Sequence, residues 1–258
     1  MKPTFEELLR FGATDVNGIM VSPSSISSIL AKYATNLAVF NEHPTYPLSL
    51  CGSATPIHFE GRFFLACCSH QLRGRNYEHV GLLTDDGSYL VTSAGVRHFI
   101  RETDSDYSDL VVFDFTDPCI EHADLRKRFF DFREIPPDAP NTDTLFLQVT
   151  GFPTSTQGYD VNEEARHLAL RRHKVICELD SNSSDDALLK LKTAGALSFD
   201  PDGMSGGSAF TVQWVHGRAK AYLAGMTVRA GRDHIHILKS GYIRSFLRSI
   251  VDDCTVIR

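Results

Sequence analysis

The sequence predicts an all-β protein built from barrels and closed by a single C-terminal helix. Between residues 36 and 135, short apolar and β-branched runs alternate with turn residues, and a similar series runs from 144 to 240. That density of short strands suits closed barrels. Between the two series lies Ile135-Pro136-Pro137-Asp138-Ala139-Pro140-Asn141-Thr142, a proline-rich, turn-forming stretch that reads as a linker. A chain of 258 residues can bury a substantial core, either as one barrel domain or as two small barrels side by side.

Taken in order, residues 1–35 form an N-terminal extension. It contains a short helical pattern at Phe5-Glu6-Glu7-Leu8-Leu9-Arg10, and Ser22-Pro23-Ser24-Ser25 can cap a second helix through Ile29-Leu30-Ala31. The first series, 36–135, comprises Asn36–Phe40, Thr55–Phe59, Arg62–Cys68, His79–Leu83, Tyr89–Thr92, Arg97–Ile100 and Leu110–Phe115. After the linker at 136–143, the second series, 144–240, comprises Thr144–Val149, Lys174–Leu179, Leu188–Lys192, Ala209–Val215, Ala219–Val228 and His234–Leu238. In the final segment, 241–258, apolar Ile243, Phe246, Leu247 and Ile250 recur at helical spacing. No internal repeat or low-complexity tract interrupts the chain.

Composition narrows the function classes. With 26 Lys+Arg against 32 Asp+Glu, the net charge is −6, which disfavours a nucleic-acid surface. The one basic cluster, Arg171-Arg172-His173-Lys174, reads as a solvated stretch. No apolar run is long enough to span a membrane. The N-terminus lacks the basic-then-apolar pattern of an export signal. Cys51, Cys67, Cys68, Cys119, Cys177 and Cys254 show no metal-finger spacing, and several sit in apolar runs where a free thiol acts as a small core residue. Reduced, buried cysteines point to cytoplasmic residence.

The segment that carries chemistry is Gly203-Met204-Ser205-Gly206-Gly207, leading into Ser208-Ala209-Phe210-Thr211-Val212. A serine among glycines can sit on a tight turn with its hydroxyl exposed beside backbone N–H groups, as acyl transfer requires. The same pattern also matches the nucleophile elbow of α/β-hydrolases and a plain glycine-rich turn. The elbow is disfavoured, because an elbow serine leads into a helix whereas Ser205 leads into a strand. Too little chain follows to complete a doubly wound sheet.

Upstream candidates complete the other chain order, histidine then aspartate then serine. His70 ends the apolar run Arg62-Phe63-Phe64-Leu65-Ala66-Cys67-Cys68-Ser69, and Asp109 opens Leu110-Val111-Val112-Phe113. Asp106 is an alternative carboxylate. His58 and His79 read as structural or exposed. His234 and His236 share one strand face, but no third ligand is spaced to make them a metal site.

On these segments the chain resembles the chymotrypsin-fold (trypsin-like) serine peptidases, in a divergent bacterial or intracellular form. Arg62–Leu72 resembles the family's histidine segment, Asp109–Val112 its aspartate strand and Gly203–Ser208 its serine loop. Gly151-Phe152-Pro153 resembles a turn common in bacterial members, Leu223–Val228 the strand lining the substrate cleft, and Gly241–Val251 the closing helix. The resemblance implies two packed six-stranded antiparallel barrels with a cleft between them. It also implies a catalytic set of His70, Asp109 and Ser205, and an oxyanion hole from the N–H groups of Gly203 and Ser205. The base of the specificity pocket falls at Phe199, and its wall at Val228, Arg229 and Ala230. A bulky residue at Phe199 leans towards small or apolar substrate side chains, although Asp200 and Asp202 lie close by.

There are departures. Met204 stands where the family often has an aspartate that pairs with a cut N-terminus, Gln71 follows the histidine in place of a cysteine, and Ser208 replaces a proline. The expectation is an intracellular serine endopeptidase acting on protein or peptide substrates, with no cofactor and no metal, open to control by a regulatory protein partner. The alternative is a catalytically latent barrel pair used for binding.

Overall fold

Two-residue turns ending in glycine set much of the strand pairing. The computed structural model describes residues 12–44, 47–85, 87–100, 104–136, 144–161 and 166–255. At Asn17-Gly18, Glu60-Gly61 and His216-Gly217 both turn residues have positive φ, from 49° to 83°. That left-handed geometry matches the twist of the strands it joins. These turns connect β1 (Thr14–Val16) to β2 (Ile19–Val21), β4 (Leu48–Phe59) to β5 (Arg62–Cys68), and β16 (Ser208–Val215) to β17 (Arg218–Ala230).

The second half closes on itself. β11 (Thr144–Gly151), β14 (His173–Asn182), β15 (Leu188–Thr193), β18 (His234–Lys239), β17 and β16 pair antiparallel in that order, and β16 pairs back to β11. The result is a six-stranded barrel with no free edge among these strands. A small separate ribbon, β12 (Gly158–Val161) with β13 (Arg166–Ala169), lies between β11 and β14 in sequence.

The first half curls without closing. Its strands are β3 (Thr35–Phe40), β4, β5, β6 (Val80–Leu83), β7 (Leu90–Thr92), β8 (Gly95–His98) and β9 (Leu110–Asp114), in the order β7-β6-β3-β4-β5-β9-β8. The outer strands β7 and β8 are not hydrogen-bonded to one another. A two-residue strand, β10 (Phe130–Asp131), runs parallel beside β4. The expected all-β architecture of two packed barrel units is therefore present, one closed and one a half-barrel.

The N-terminal extension does not stand apart. β1 pairs parallel with β17, so the hairpin widens the second sheet. α1 (Pro23–Ala31) follows, with proline at its first position and Ile26, Leu30 and Ala31 buried. The expected helix at Phe5–Arg10 and linker residues 137–143 lie outside the described residues. α2 (Thr116–Glu121) is a short helix after β9, and α3 (Ser240–Thr255) ends the described chain.

Three apolar clusters hold this together. One fills the first half around Leu65, Val111 and Phe113, and another fills the closed barrel around Val149, Leu191 and Ile237. The largest lies between the halves and joins Phe59 and Phe64 to Phe210, Leu223 and Met226, with Ile243 and Leu247 of α3. Tyr33, Phe130 and Phe210 pack there as a triangle of rings with centroids 4.9–5.9 Å apart. Aromatic contacts of this kind contribute about 0.5–1.5 kcal/mol each beyond area burial.

Candidate active site

Strand register brings the histidine and aspartate together. β5 and β9 are antiparallel, with Cys68 opposite Leu110. The residue two places after Cys68 therefore faces the residues just before Leu110. Beyond Cys68 the chain turns into a single 3-10 turn, Ser69–Leu72, anchored by buried Leu72. Asp109 ends another, Asp106–Asp109, capped by the Ser105 hydroxyl, which accepts from Tyr107 N–H at 3.2 Å. Tyr107 packs against Phe99, Tyr242 and Phe246, so α3 buttresses the aspartate turn.

The pair itself is tightly made. His70 Nδ1 and Asp109 Oδ2 are 2.6 Å apart, and the His70 backbone N–H donates to Asp109 Oδ1 at 2.9 Å. A carboxylate holding Nδ1–H leaves Nε2 as the basic nitrogen. The alternative Asp106 is committed elsewhere. It forms an ion pair with Arg229, and its backbone N–H donates to Asp185 at 2.8 Å. His58 lies 3.3 Å from Asp131 and stacks on Phe63, and His79 lies edge-on to Phe40. His234 lies 3.3 Å from Asp180.

The serine loop belongs to the closed barrel but is braced by the half-barrel. Met204 is fully buried in the barrel core, so this position holds an apolar side chain in place of the aspartate noted above as a departure. From β4, the Ser53 hydroxyl donates to Gly203 O at 2.7 Å and accepts from Phe152 N at 2.7 Å, while the Thr55 hydroxyl donates to Gly206 O at 2.8 Å. Gly206 has φ +82°, and a Cβ there would meet Ser53 O at 2.0 Å, so no side chain fits. Gly203 has φ +90°, and a Cβ there would meet the Thr154 hydroxyl oxygen at 2.5 Å.

Gln71 ties the two loops. Its Nε2 donates to Ser205 O at 2.6 Å, Ser53 O at 3.2 Å and Cys51 O at 3.4 Å, and its Oε1 accepts from Cys68 N at 2.9 Å. One amide thus links the histidine turn, β4 and the serine loop. The sequence reading registered Gln71 only as a departure from a pattern. It missed Ser53 altogether, because nothing local marks a serine inside a strand as a bridge to a distant loop.

His70, Asp109, Ser205, Val228, Arg229 and Ala230 all line one cavity of about 670 Å³ between the halves. Phe199 does not line it. That ring lies 4.4 Å from the His173 ring instead, against the barrel core. The Ser205 hydroxyl donates to Val228 O at 3.1 Å rather than to His70. The N–H groups of Gly203 and Ser205 have no acceptor among the described residues. Gly203 is not itself a lining residue.

Donor atoms of Cys68, His70 and Asp109 lie within 4.8 Å of one another. They suit a metal poorly. Burial, reinforced by the Asp109 charge, pushes the Cys68 thiol well up, and a ligating sulfur must be a thiolate. Moreover His70 and Asp109 already satisfy each other. Cys51, Cys67, Cys68, Cys119 and Cys177 are all free thiols. Among the described residues no helix is long and apolar enough to cross a membrane. No protein-family model and no curated protein matches this chain.

Proposed function

We propose that the chain is a serine endopeptidase that cleaves protein or peptide substrates through an acyl-enzyme. The observation that carries this is the His70–Asp109 pair at 2.6 Å in the same inter-barrel cavity as Ser205. Ser205 Oγ attacks the scissile carbonyl, and His70 Nε2 takes the proton and later returns it to the leaving amine. Asp109 holds the tautomer and stabilises the imidazolium. Both Gly203 and Ser205 offer an N–H without an acceptor among the described residues, the kind of donor an oxyanion requires. One such donor is worth about 3–4 kcal/mol in the transition state.

For this chemistry the Ser205 hydroxyl must exchange Val228 O for His70 Nε2. Trading one hydrogen bond for another costs about 1 kcal/mol or less, and catalytic hydrogen bonds commonly tighten only when substrate binds. The same observation favours a second reading, a latent site that a partner or substrate must switch on. Free thiols and the net charge of −6 fit cytoplasmic work without a nucleic-acid partner. Arg229 stands at the cavity wall, and small or apolar side chains are the expected preference beside Val228 and Ala230.

Digestion of a peptide library, with mass-spectrometric readout, tests the proposal. Wild type should produce discrete cleavages that Ser205→Ala abolishes. Cleavage by Ser205→Ala at the wild-type rate would end it.

A further inference from the structure

A second groove between the halves carries a different chemistry. It encloses about 540 Å³ and shares no lining residue with the catalytic cavity. Lys32, Lys127, Arg128 and Arg172 all line it, against a single lining carboxylate, Asp85. That carboxylate is taken by Arg128, whose Nη1 also donates to Leu83 O at 2.7 Å. Lys127 pairs with Asp124 at 2.8 Å, but both side chains are 79% exposed, where such a pair contributes little. Arg172 lies over the Phe152 ring at 5.4 Å, and neither it nor Lys32 has a carboxylate partner among the described residues.

Two further features of this wall suit an anionic ligand. Desolvation, and then the neighbouring Arg128 charge, push Arg172 below its ordinary value; Asp85 neutralises Arg128, whereas Arg172 has no carboxylate partner among the described residues. Asn36, which is only 6% exposed, also contributes to the lining, and neither its amide nitrogen nor its oxygen has a partner among the described residues. A buried amide left unpaired is uncommon in a folded protein.

We propose that this groove binds the phosphate group of a small molecule, held by the Arg172 guanidinium and the Lys32 ammonium, with Asn36 available to the rest of the ligand. A guanidinium fork matches phosphate geometry, and an ammonium adds a compact charge beside it. The volume lies in the range of small-molecule sites, with Phe152 and Leu170 as apolar wall. The proposal is independent of the hydrolase reading.

Isothermal titration calorimetry on the full chain provides the test, with adenosine 5′-monophosphate, adenosine and inorganic phosphate as probes. The phosphate-bearing probes should bind with Kd below about 1 mM, and adenosine should give no comparable heat. Tighter binding of the nucleotide than of inorganic phosphate assigns the ligand as a phosphate ester, whereas equal binding assigns it as free phosphate. Lys32→Glu, at an exposed position that leaves the fold intact, and Arg172→Gln should each weaken binding about tenfold or more, and Ser205→Ala should leave it unchanged. No heat from either phosphate-bearing probe, or binding indifferent to both charge changes, overturns the proposal.

Discussion

Replacing Gln71 with leucine removes a side chain that joins the histidine turn to the serine loop. The bond from Cys68 N at 2.9 Å and the bond to Ser205 O at 2.6 Å are both lost. Each is worth about 1 kcal/mol net. The Cys68 N–H belongs to a fully buried residue and would be left unpaired, adding about 1–3 kcal/mol. Ser205 O keeps only the weaker donor Ser53 N at 3.3 Å. The sum is about 3–5 kcal/mol, which for a chain of this size corresponds to a fall in Tm of roughly 10 °C. Gln71→Glu retains the acceptor for Cys68 N but loses the donor, so it should fall between wild type and leucine in stability. The assay is thermal unfolding by circular dichroism, paired with the rate at which a fluorophosphonate labels Ser205. Losing the bridge should lower both, because the amide holds the nucleophile loop against the base. If Gln71→Leu melts within about 2 °C of wild type and labels at the same rate, the bridging argument is wrong.

Other consequences follow from the same geometry. Gly206→Ala puts a Cβ within 2.0 Å of Ser53 O at φ +82°, so it should cost more than about 2 kcal/mol and abolish labelling at Ser205, read by the same two assays. Partial burial opposes ionisation of Asp185, but hydrogen bonds from Ala187 N, Asp106 N and the Ser105 hydroxyl win and hold its carboxyl below the ordinary value. Its contribution is therefore fully present above the unfolded carboxylate range near 4 and fades as pH falls through the depressed value. Asp185→Asn should destabilise by about 1–3 kcal/mol at pH 7 and make little difference in strong acid, measured by urea unfolding. Burial pushes the thiol of Cys119 up to about 11 and that of Cys177 up to about 12, so native protein should resist iodoacetamide at both sites at pH 8 and react after denaturation, as mass spectrometry would show.

Much of this architecture is legible in the chain because it is written in local patterns. The strands flanking Glu60-Gly61 and His216-Gly217 alternate apolar character with turn signals, and those hairpins form. Asn17-Gly18 carries an equally strong turn signal, yet β1 and β2 are only three residues long, too short for periodicity to mark them. β10 escapes for the same reason, since its parallel pairing with β4 is a tertiary event. The closed barrel and the half-barrel look alike in sequence, because closure depends on whether distant edge strands meet. In the candidate site, His70 and Asp109 stand out as residues at the ends of apolar strands, and register does the rest. Phe199 was expected by position alone, and its ring instead packs on His173. Gln71 and Ser53 bridge over sequence separations of 134 and 150 residues, and no local rule reaches that far.

Intact-mass analysis after treatment with a fluorophosphonate addresses the nucleophile most directly. One adduct per chain should appear, mapped to Ser205, absent in Ser205→Ala and slowed by orders of magnitude in His70→Ala. Labelling that maps elsewhere, or that proceeds undiminished without His70, would contradict the assignment of an imidazole-activated serine in this cavity.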